Sequence, residues 1–75
     1  MKAIDAIKEA AKLSGTPTTH IGPAIGRKST YVSTIAYKNN TPQTDNTAAM
    51  LDVCGYALCA IPKDKVPPGA IVIDE

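Results

Sequence analysis

The amino-acid sequence predicts a mainly α domain in which four short helices are followed by a C-terminal two-stranded β-hairpin. Two observations support this fold class. Apolar residues recur at helical spacing in four segments, which Gly- and Pro-containing turns separate. After residue 55, two short apolar runs lie on either side of a Pro-rich loop. Because a chain of 75 residues forms one small domain with a small core, we expect efficient packing or oligomerisation to add stability.

The first helix is predicted over about residues 2–14. Ile4, Ile7 and Ala11 lie on its apolar stripe, and most of its charged residues lie off that stripe. Opposite charges three residues apart offset the like-charge pairs four residues apart. Gly15 follows the stripe, and glycine can end a helix because it adopts the left-handed conformation at little cost.

The second helix is predicted over about residues 17–25, with Thr16 as N-cap and Pro17 at the first helical position. Gly22 lies in mid-helix, where glycine costs up to about 1 kcal/mol relative to alanine. We interpret it as a point where another backbone approaches closely. Pro23 lacks a backbone donor and should kink or shorten this helix.

The third helix is predicted over about residues 29–38, after a turn at Gly26, with Ser29 or Lys28 as N-cap. Val32 and Ile35 are three residues apart, so both can face inward on one turn of helix. The outward face then carries hydroxyl groups and basic side chains but no acidic residue. Such a face suits hydrogen bonding to base edges and phosphates.

The fourth helix is predicted over about residues 45–54, with Thr44 as N-cap and Asp45 favourable in the first turn. Its apolar stripe is Thr47, Met50, Leu51 and Cys54. Gly55 closes it. The apolar runs at about 56–61 and 70–74 are predicted as two strands, because the second is rich in β-branched residues and a Pro-containing loop joins the two.

The distribution of charge is more informative than the formal net charge of +1. No acid lies between residues 12 and 44, whereas that stretch contains Lys12, Arg27, Lys28 and Lys38. The remainder of the chain contains four basic residues and all seven acidic residues, so its net charge is −3. A basic middle in a nearly neutral protein can steer it toward an anion.

No pattern of catalytic or metal-binding residues stands out. His20 is the only histidine, and no signature places an orienting partner beside it. Cys54 and Cys59 with one distant histidine do not make a zinc site. A Gly-rich phosphate loop is also missing from the sequence. We therefore expect neither an enzyme nor a protein that needs a metal or another cofactor.

The sequence also predicts a cytoplasmic location. Charged and apolar residues alternate after Met1, so we expect neither a signal peptide nor a membrane span. Cys54 and Cys59 lie in apolar sequence, where free cysteine behaves as a small hydrophobe. The thiols are expected to be reduced.

The order helix, Gly-marked turn, helix, loop, helix over residues 16–55 is the skeleton of a DNA-binding helix-turn-helix. The residues at matching spacings are Gly22, Ile25-Gly26, Val32, Ile35, Pro42 and Cys54-Gly55. On these residues, just over half the chain resembles the phage repressor and Cro-type (lambda-repressor-like) helix-turn-helix family. The chain departs from the family pattern at Arg27, where an apolar residue is usual, and at Thr18, where Gln is common. Pro23 is also unusual.

The resemblance implies a sequence-specific transcriptional regulator, a phage or prophage repressor or Cro-like protein, that reads the major groove of double-stranded DNA with the helix at 29–38. The residues implied to read base edges are Lys28, Ser29, Thr30 and Ser33. The residues implied to contact phosphate are Thr18, Arg27, Thr34, Tyr37, Lys38, Asn39 and Asn40. For Tyr31 and Tyr37, packing, stacking on sugar and donation to phosphate all stay open.

The resemblance also implies a homodimer, because Cro-like proteins use C-terminal strands to dimerise, and hence a pseudopalindromic operator. The alternative is that residues 70–74 fold back on residues 56–61 and complete the core of a monomer. A second class of function is also open: an antitoxin-like or other protein-binding module that acts through the hairpin. The acid-free, hydroxyl-rich third helix favours DNA.

Overall fold

A computed structural model describes residues 1–74 of the chain. Its helices are α1 (Ala3–Ser14), α2 (Thr18–Ala24), α3 (Tyr31–Tyr37) and α4 (Thr44–Val53), followed by a short 3-10 turn at Lys63–Lys65. The helices predicted at 2–14, 17–25, 29–38 and 45–54 are confirmed. Their ends differ by at most two residues, and the largest shift is the start of α3.

The core lies where the four helices meet. α1 packs against α3 and α4, and α2 packs against the same two helices. The largest fully buried side chains are Ile7, Ile21, Met50 and Val32, so every helix contributes one of them. The sequence contains neither Phe nor Trp. Burial of aliphatic groups is therefore the main source of stability.

All four helices end in the same hydrogen-bonding pattern, the Schellman motif. One residue adopts the left-handed conformation, and the next residue donates its N–H to a carbonyl five positions back. The left-handed residues are Gly15, Gly26, Asn39 and Gly55. After α2, for example, the N–H of Arg27 donates to the carbonyl of Gly22 at 2.8 Å. The predicted roles of the three glycines are thus confirmed.

The helix starts differ from the prediction. Thr16, Ser29 and Thr44 were predicted N-caps, but the residues that precede the helices are Pro17, Thr30 and Gln43. None of these three makes a side-chain capping bond. The hydroxyl of Thr16 is hydrogen-bonded to that of Ser14 at 2.9 Å instead. Ser29 lies in the turn before α3, which leaves its side chain exposed.

The predicted C-terminal β-hairpin is wrong: residues 56–61 and 70–74 form no strand. Pro62, Pro67 and Pro68 lack backbone donors, and residues 63–65 turn in a 3-10 helix rather than a hairpin loop. A two-stranded hairpin is marginal without a third partner. The backbone of residues 57–61 accordingly makes no hydrogen bond to any residue that the structure describes.

The end of this segment lies along the N-terminus instead. The amino group of Met1 donates to the carbonyl of Val72 at 3.1 Å, and the N–H of Asp74 donates to the carbonyl of Met1 at 3.1 Å. The Met1 amino group also pairs with the Asp74 carboxylate, and this hydrogen bond and charge lower the pKa of Asp74. Tyr56 and Ile71 pack on the helical core. The C-terminal segment is thus attached near both of its ends.

Gly22 marks a close approach of α2 to the turn that leads into α3. A Cβ atom at this position would lie 2.0 Å from the carbonyl oxygen of Lys28 and 3.1 Å from the Cβ of Tyr31. The same Lys28 oxygen accepts the N–H of Tyr31 at 3.0 Å, so it is part of the first turn of α3. The interpretation of Gly22 as a site of close backbone approach is confirmed.

We predict that Gly22→Ala destabilises the protein by about 1–3 kcal/mol, the range for overpacking. Helix propensity alone predicts the opposite sign, a gain of about 1 kcal/mol. The measurement is denaturant unfolding followed by circular dichroism. Thr19→Ala, at an exposed position of the same helix, is the control and should change the free energy of unfolding little. A Gly22→Ala protein as stable as the parent would contradict the contact.

Candidate nucleic-acid interface

The α3 helix has one buried side and one free side. Val32 and Ile35 are its only buried residues, with exposed fractions of 2% and 8%. They hold the helix against α1 and α2. Ser33, Thr34 and Tyr37 project from other sides of the helix and are exposed. These three side chains are therefore available to a partner without any change in the core.

We define the α3 face as the exposed residues of the segment 27–40. Its members are Arg27, Lys28, Ser29, Thr30, Ser33, Thr34, Tyr37, Lys38, Asn39 and Asn40. The structure thus brings ten of the predicted site residues together as one exposed segment centred on α3. Thr18 is the exception, because it is the first residue of α2 and is half-buried.

One further cation, which the sequence did not predict, lies at the α3 face. Lys2 donates from its Nζ atom to the Oδ1 atom of Asn39 at 3.1 Å. It joins Arg27, Lys28 and Lys38, and no acid lies between residues 12 and 44. Lys2 and Asn39 are 37 positions apart. No local sequence pattern could have predicted their contact, because it depends on how α1 packs beside α3.

Ser33 has a defined hydrogen-bonding role in the free protein. Its hydroxyl donates to the carbonyl oxygen of Thr30 at 3.0 Å, so the hydroxyl hydrogen is engaged and the lone pairs stay available. In the major groove, the donors are the amino groups of adenine and cytosine. The Ser33 oxygen can therefore accept a hydrogen bond from a donor such as one of these amino groups.

The two tyrosines of α3 differ in environment. Tyr37 is 91% exposed, so it does not pack on the body of the domain. Tyr31 is half-buried against the core, and the Cζ atom of Arg27 lies 5.2 Å from the centroid of its ring. The sequence left packing, stacking and phosphate contact open for both residues. Packing applies to Tyr31, and Tyr37 is free to contact a partner.

Asn39 has a structural role in addition to its predicted one. Its φ angle is 54°, which asparagine tolerates better than most residues. Asn40 completes the end of α3 by donating its N–H to the carbonyl of Ile35 at 3.1 Å. With its Oδ1 atom bonded to Lys2, Asn39 has its amide NH2 group left for a phosphate.

The cysteines lie apart from the α3 face and in different environments. Cys54 is buried, and burial raises the pKa of its thiol, while hydrogen bonds with Ser14 and Thr16 oppose that rise. Cys59 is exposed in the C-terminal segment. Within residues 1–74, no group of three or more His, Cys, Asp and Glu side chains is placed to hold a metal ion. No helix in the same range has the length and apolar character needed to cross a bilayer.

No protein family, curated protein or solved structure matches the chain. A proposal for its function therefore depends on the geometry and chemistry of the α3 face and of the C-terminal segment.

Proposed function

We propose that the chain is a sequence-specific double-stranded DNA-binding protein of the phage repressor and Cro type, which regulates transcription. In this proposal α2, the turn and α3 form a helix-turn-helix, and α3 enters the major groove. The observation that carries the proposal is the α3 face: a surface of hydroxyl, amide and cationic groups without an acid, on a helix anchored by two buried residues.

The chemistry of the face divides into two kinds of contact. The residues proposed to read base edges are Lys28, Ser29, Thr30 and Ser33, because they surround the start of α3. The residues proposed to contact phosphate are Arg27, Thr34, Tyr37, Lys38, Asn39 and Asn40, with Lys2 in addition. Thr18 is a weaker candidate, because it is half-buried. Phosphate contacts fix the orientation of the helix, and base contacts then select the sequence.

A purely solvated surface is the simplest alternative, and the charge distribution argues against it. Solvent-facing surfaces of small domains usually carry both signs of charge interspersed. Here all seven acids lie outside residues 12–44, although that stretch is almost half of the chain. A surface selected only for solubility would not need this segregation. A surface that binds a polyanion does need it, because each acid near a phosphate weakens binding.

Selection of bound sites from random duplex DNA tests the proposal. We expect enrichment of a short motif that repeats with two-fold symmetry, and affinity that falls steeply as salt rises. Lys28→Glu with Lys38→Glu should abolish the enrichment. Lys8→Glu with Lys12→Glu makes the same change of charge at two exposed positions of α1 that lie outside the α3 face, and is the control. Equal binding to all duplexes, or no binding by the parent chain, would contradict the proposal.

We further predict that Ser33→Ala relaxes the preference at one base pair by about 1–3 kcal/mol and leaves affinity for other sequences nearly unchanged. The reason is that Ser33 offers an acceptor for the amino group of adenine or cytosine. The measurement is binding to the selected site and its single-base variants. Ser14→Ala is a matched control, because Ser14 also donates to a carbonyl three positions back, that of Ala11. Uniform weakening across all sequences would assign Ser33 to the DNA backbone.

We propose that the protein binds DNA as a homodimer through its C-terminal segment, even though that segment forms no strand. Leu58, Ile61, Val66 and Val72 are exposed by 38–47%. An open, largely apolar cleft separates the segment from α1 and α4, and the backbone of residues 57–61 lacks partners among residues 1–74. A second copy can cover the apolar side chains and bond to that backbone. Two copies would read half-sites one helical turn, roughly 34 Å, apart.

The dimer predicts that replacing Leu58 and Ile61 together by Asp yields a monomer, because two charges would enter the apolar contact. The measurement is analytical sedimentation at micromolar concentration, alongside thermal unfolding to check the fold. Leu13→Asp is the control, since Leu13 is an exposed leucine on α1 with an exposed fraction of 59%. A parent chain that stays monomeric with and without DNA would refute the dimer. The exposed segment would then favour the antitoxin-like alternative, in which it binds another protein.

A further inference from the structure

Arg27 lies over an aromatic ring although the two residues are not on the same helix. Arg27 is in the turn after α2, and Tyr31 is the first residue of α3. The Cζ atom of the guanidinium is 5.2 Å from the ring centroid, within the distance of about 6 Å at which a cation is attracted to an aromatic face. Arg27 also departs from the helix-turn-helix pattern that the sequence resembles, in which an apolar residue is usual at that position.

A backbone hydrogen bond anchors Arg27, and packing against the core anchors Tyr31. The N–H of Arg27 donates to the carbonyl of Gly22 at 2.8 Å, which sets the start of its side chain. The ring of Tyr31 packs against the core, and the Tyr31 Cβ lies 3.1 Å from the place of a Cβ on Gly22. Packing therefore holds Tyr31 in place, and its ring offers a fixed surface beside the exposed guanidinium of Arg27.

No carboxylate competes for the guanidinium. Among residues 1–74 Arg27 forms no salt bridge, and the nearest acids in sequence are Glu9 and Asp45. A guanidinium stacked on a ring still has its N–H groups at its edge available to an external acceptor. Its planar fork matches the two oxygens of a phosphate, and less side-chain freedom is lost on binding because the fork is already oriented.

We propose that Tyr31 is a positioning residue, which holds the Arg27 guanidinium in the orientation for a bidentate contact with one phosphate of the DNA backbone. This inference rests on the proposed DNA-binding function and adds to it a residue that the sequence left unassigned. Arg27 immediately precedes Lys28, Ser29 and Thr30, the proposed base-reading residues. A phosphate contact at Arg27 therefore fixes how the start of α3 meets the bases.

The pair makes a prediction about which substitutions are tolerated. Tyr31→Phe keeps the ring face and should bind DNA like the parent. Tyr31→Leu keeps an apolar side chain for the core but removes the ring, and should weaken binding about two- to fivefold, the worth of an exposed cation–π contact. Arg27→Lys keeps the charge but lacks the planar guanidinium fork, so its affinity for DNA should be lower than that of the parent.

The test measures dissociation constants of these variants on a short random-sequence duplex over a range of salt concentrations. Arg27→Ala should reduce the slope of log affinity against log salt by about 0.9, the value for one phosphate contact. In the Arg27→Ala background, Tyr31→Leu should have no further effect, whereas in the Lys38→Ala background it should have its full effect. Lys8→Ala, at an exposed position of α1 outside both the α3 face and the C-terminal segment, is the control that leaves the slope unchanged.

A second measurement examines the pair without DNA. The Tyr31 ring should shift the proton resonances of the Arg27 side chain in the parent and in Tyr31→Phe, and the shift should vanish in Tyr31→Leu. Thermal unfolding shows whether each variant is folded at the temperature of the measurement. An absent shift in the parent overturns the inference independently of any DNA experiment.

The outcomes separate this inference from the proposed function. If the parent binds the duplex but Arg27→Ala keeps the parent slope, the inference is overturned and the DNA-binding proposal stands. If Tyr31→Leu weakens binding equally with and without Arg27, Tyr31 acts through the fold and not through the guanidinium, and the inference is again overturned. A parent chain that binds neither this duplex nor any sequence in the selection overturns both.

Discussion

The contact between Gly22 and the carbonyl oxygen of Lys28 is the constraint on which the rest of the structure depends. A side chain at position 22 would place its first carbon 2.0 Å from that oxygen, so the turn packs against α2 only because glycine stands there. The same oxygen begins α3 by accepting the N–H of Tyr31. Gly22 therefore lets the turn pack closely on α2 and fixes where α3 begins relative to α2. The proposed DNA contacts at the start of α3 depend on this packing.

Local signals in the sequence were sufficient to predict the helices but not the conformation of residues 56–74. Gly15, Gly26 and Gly55 could be predicted as helix ends because left-handed geometry is a property of the residue itself. Residues 56–61 and 70–74 were predicted as strands on composition alone. Strand formation needs a neighbouring backbone. Val72 and Asp74 instead hydrogen-bond to Met1, at the opposite end of the sequence, without forming a strand. A contact between residues so far apart in sequence cannot be predicted from a local pattern.

In the candidate site, too, some features could be predicted from local sequence signals and others could not. Its ten exposed residues between Arg27 and Asn40 could be identified because Val32 and Ile35 reveal which side of α3 faces inward. The contacts that refine the site could not be identified in this way. Lys2 reaches Asn39 because of how α1 packs, and Arg27 lies over Tyr31 because of the turn geometry around Gly22. Periodicity predicts which side chains are exposed, whereas it does not predict which exposed side chains meet.

The positions that hold the fold and those proposed to read DNA scarcely overlap. The buried residues of α3 are aliphatic and contribute to a shared core, while Ser33, Thr34 and Tyr37 are exposed and contribute little burial. Exposed substitutions of this kind usually change stability by less than about 0.5 kcal/mol. The preferred DNA sequence could therefore change through the α3 face without loss of the fold. Tyr31 is the exception, because it packs against the core and its ring also lies beneath the guanidinium of Arg27. Removal of the ring is expected to alter both stability and the proposed DNA affinity, so only the coupling to Arg27 can separate the two roles.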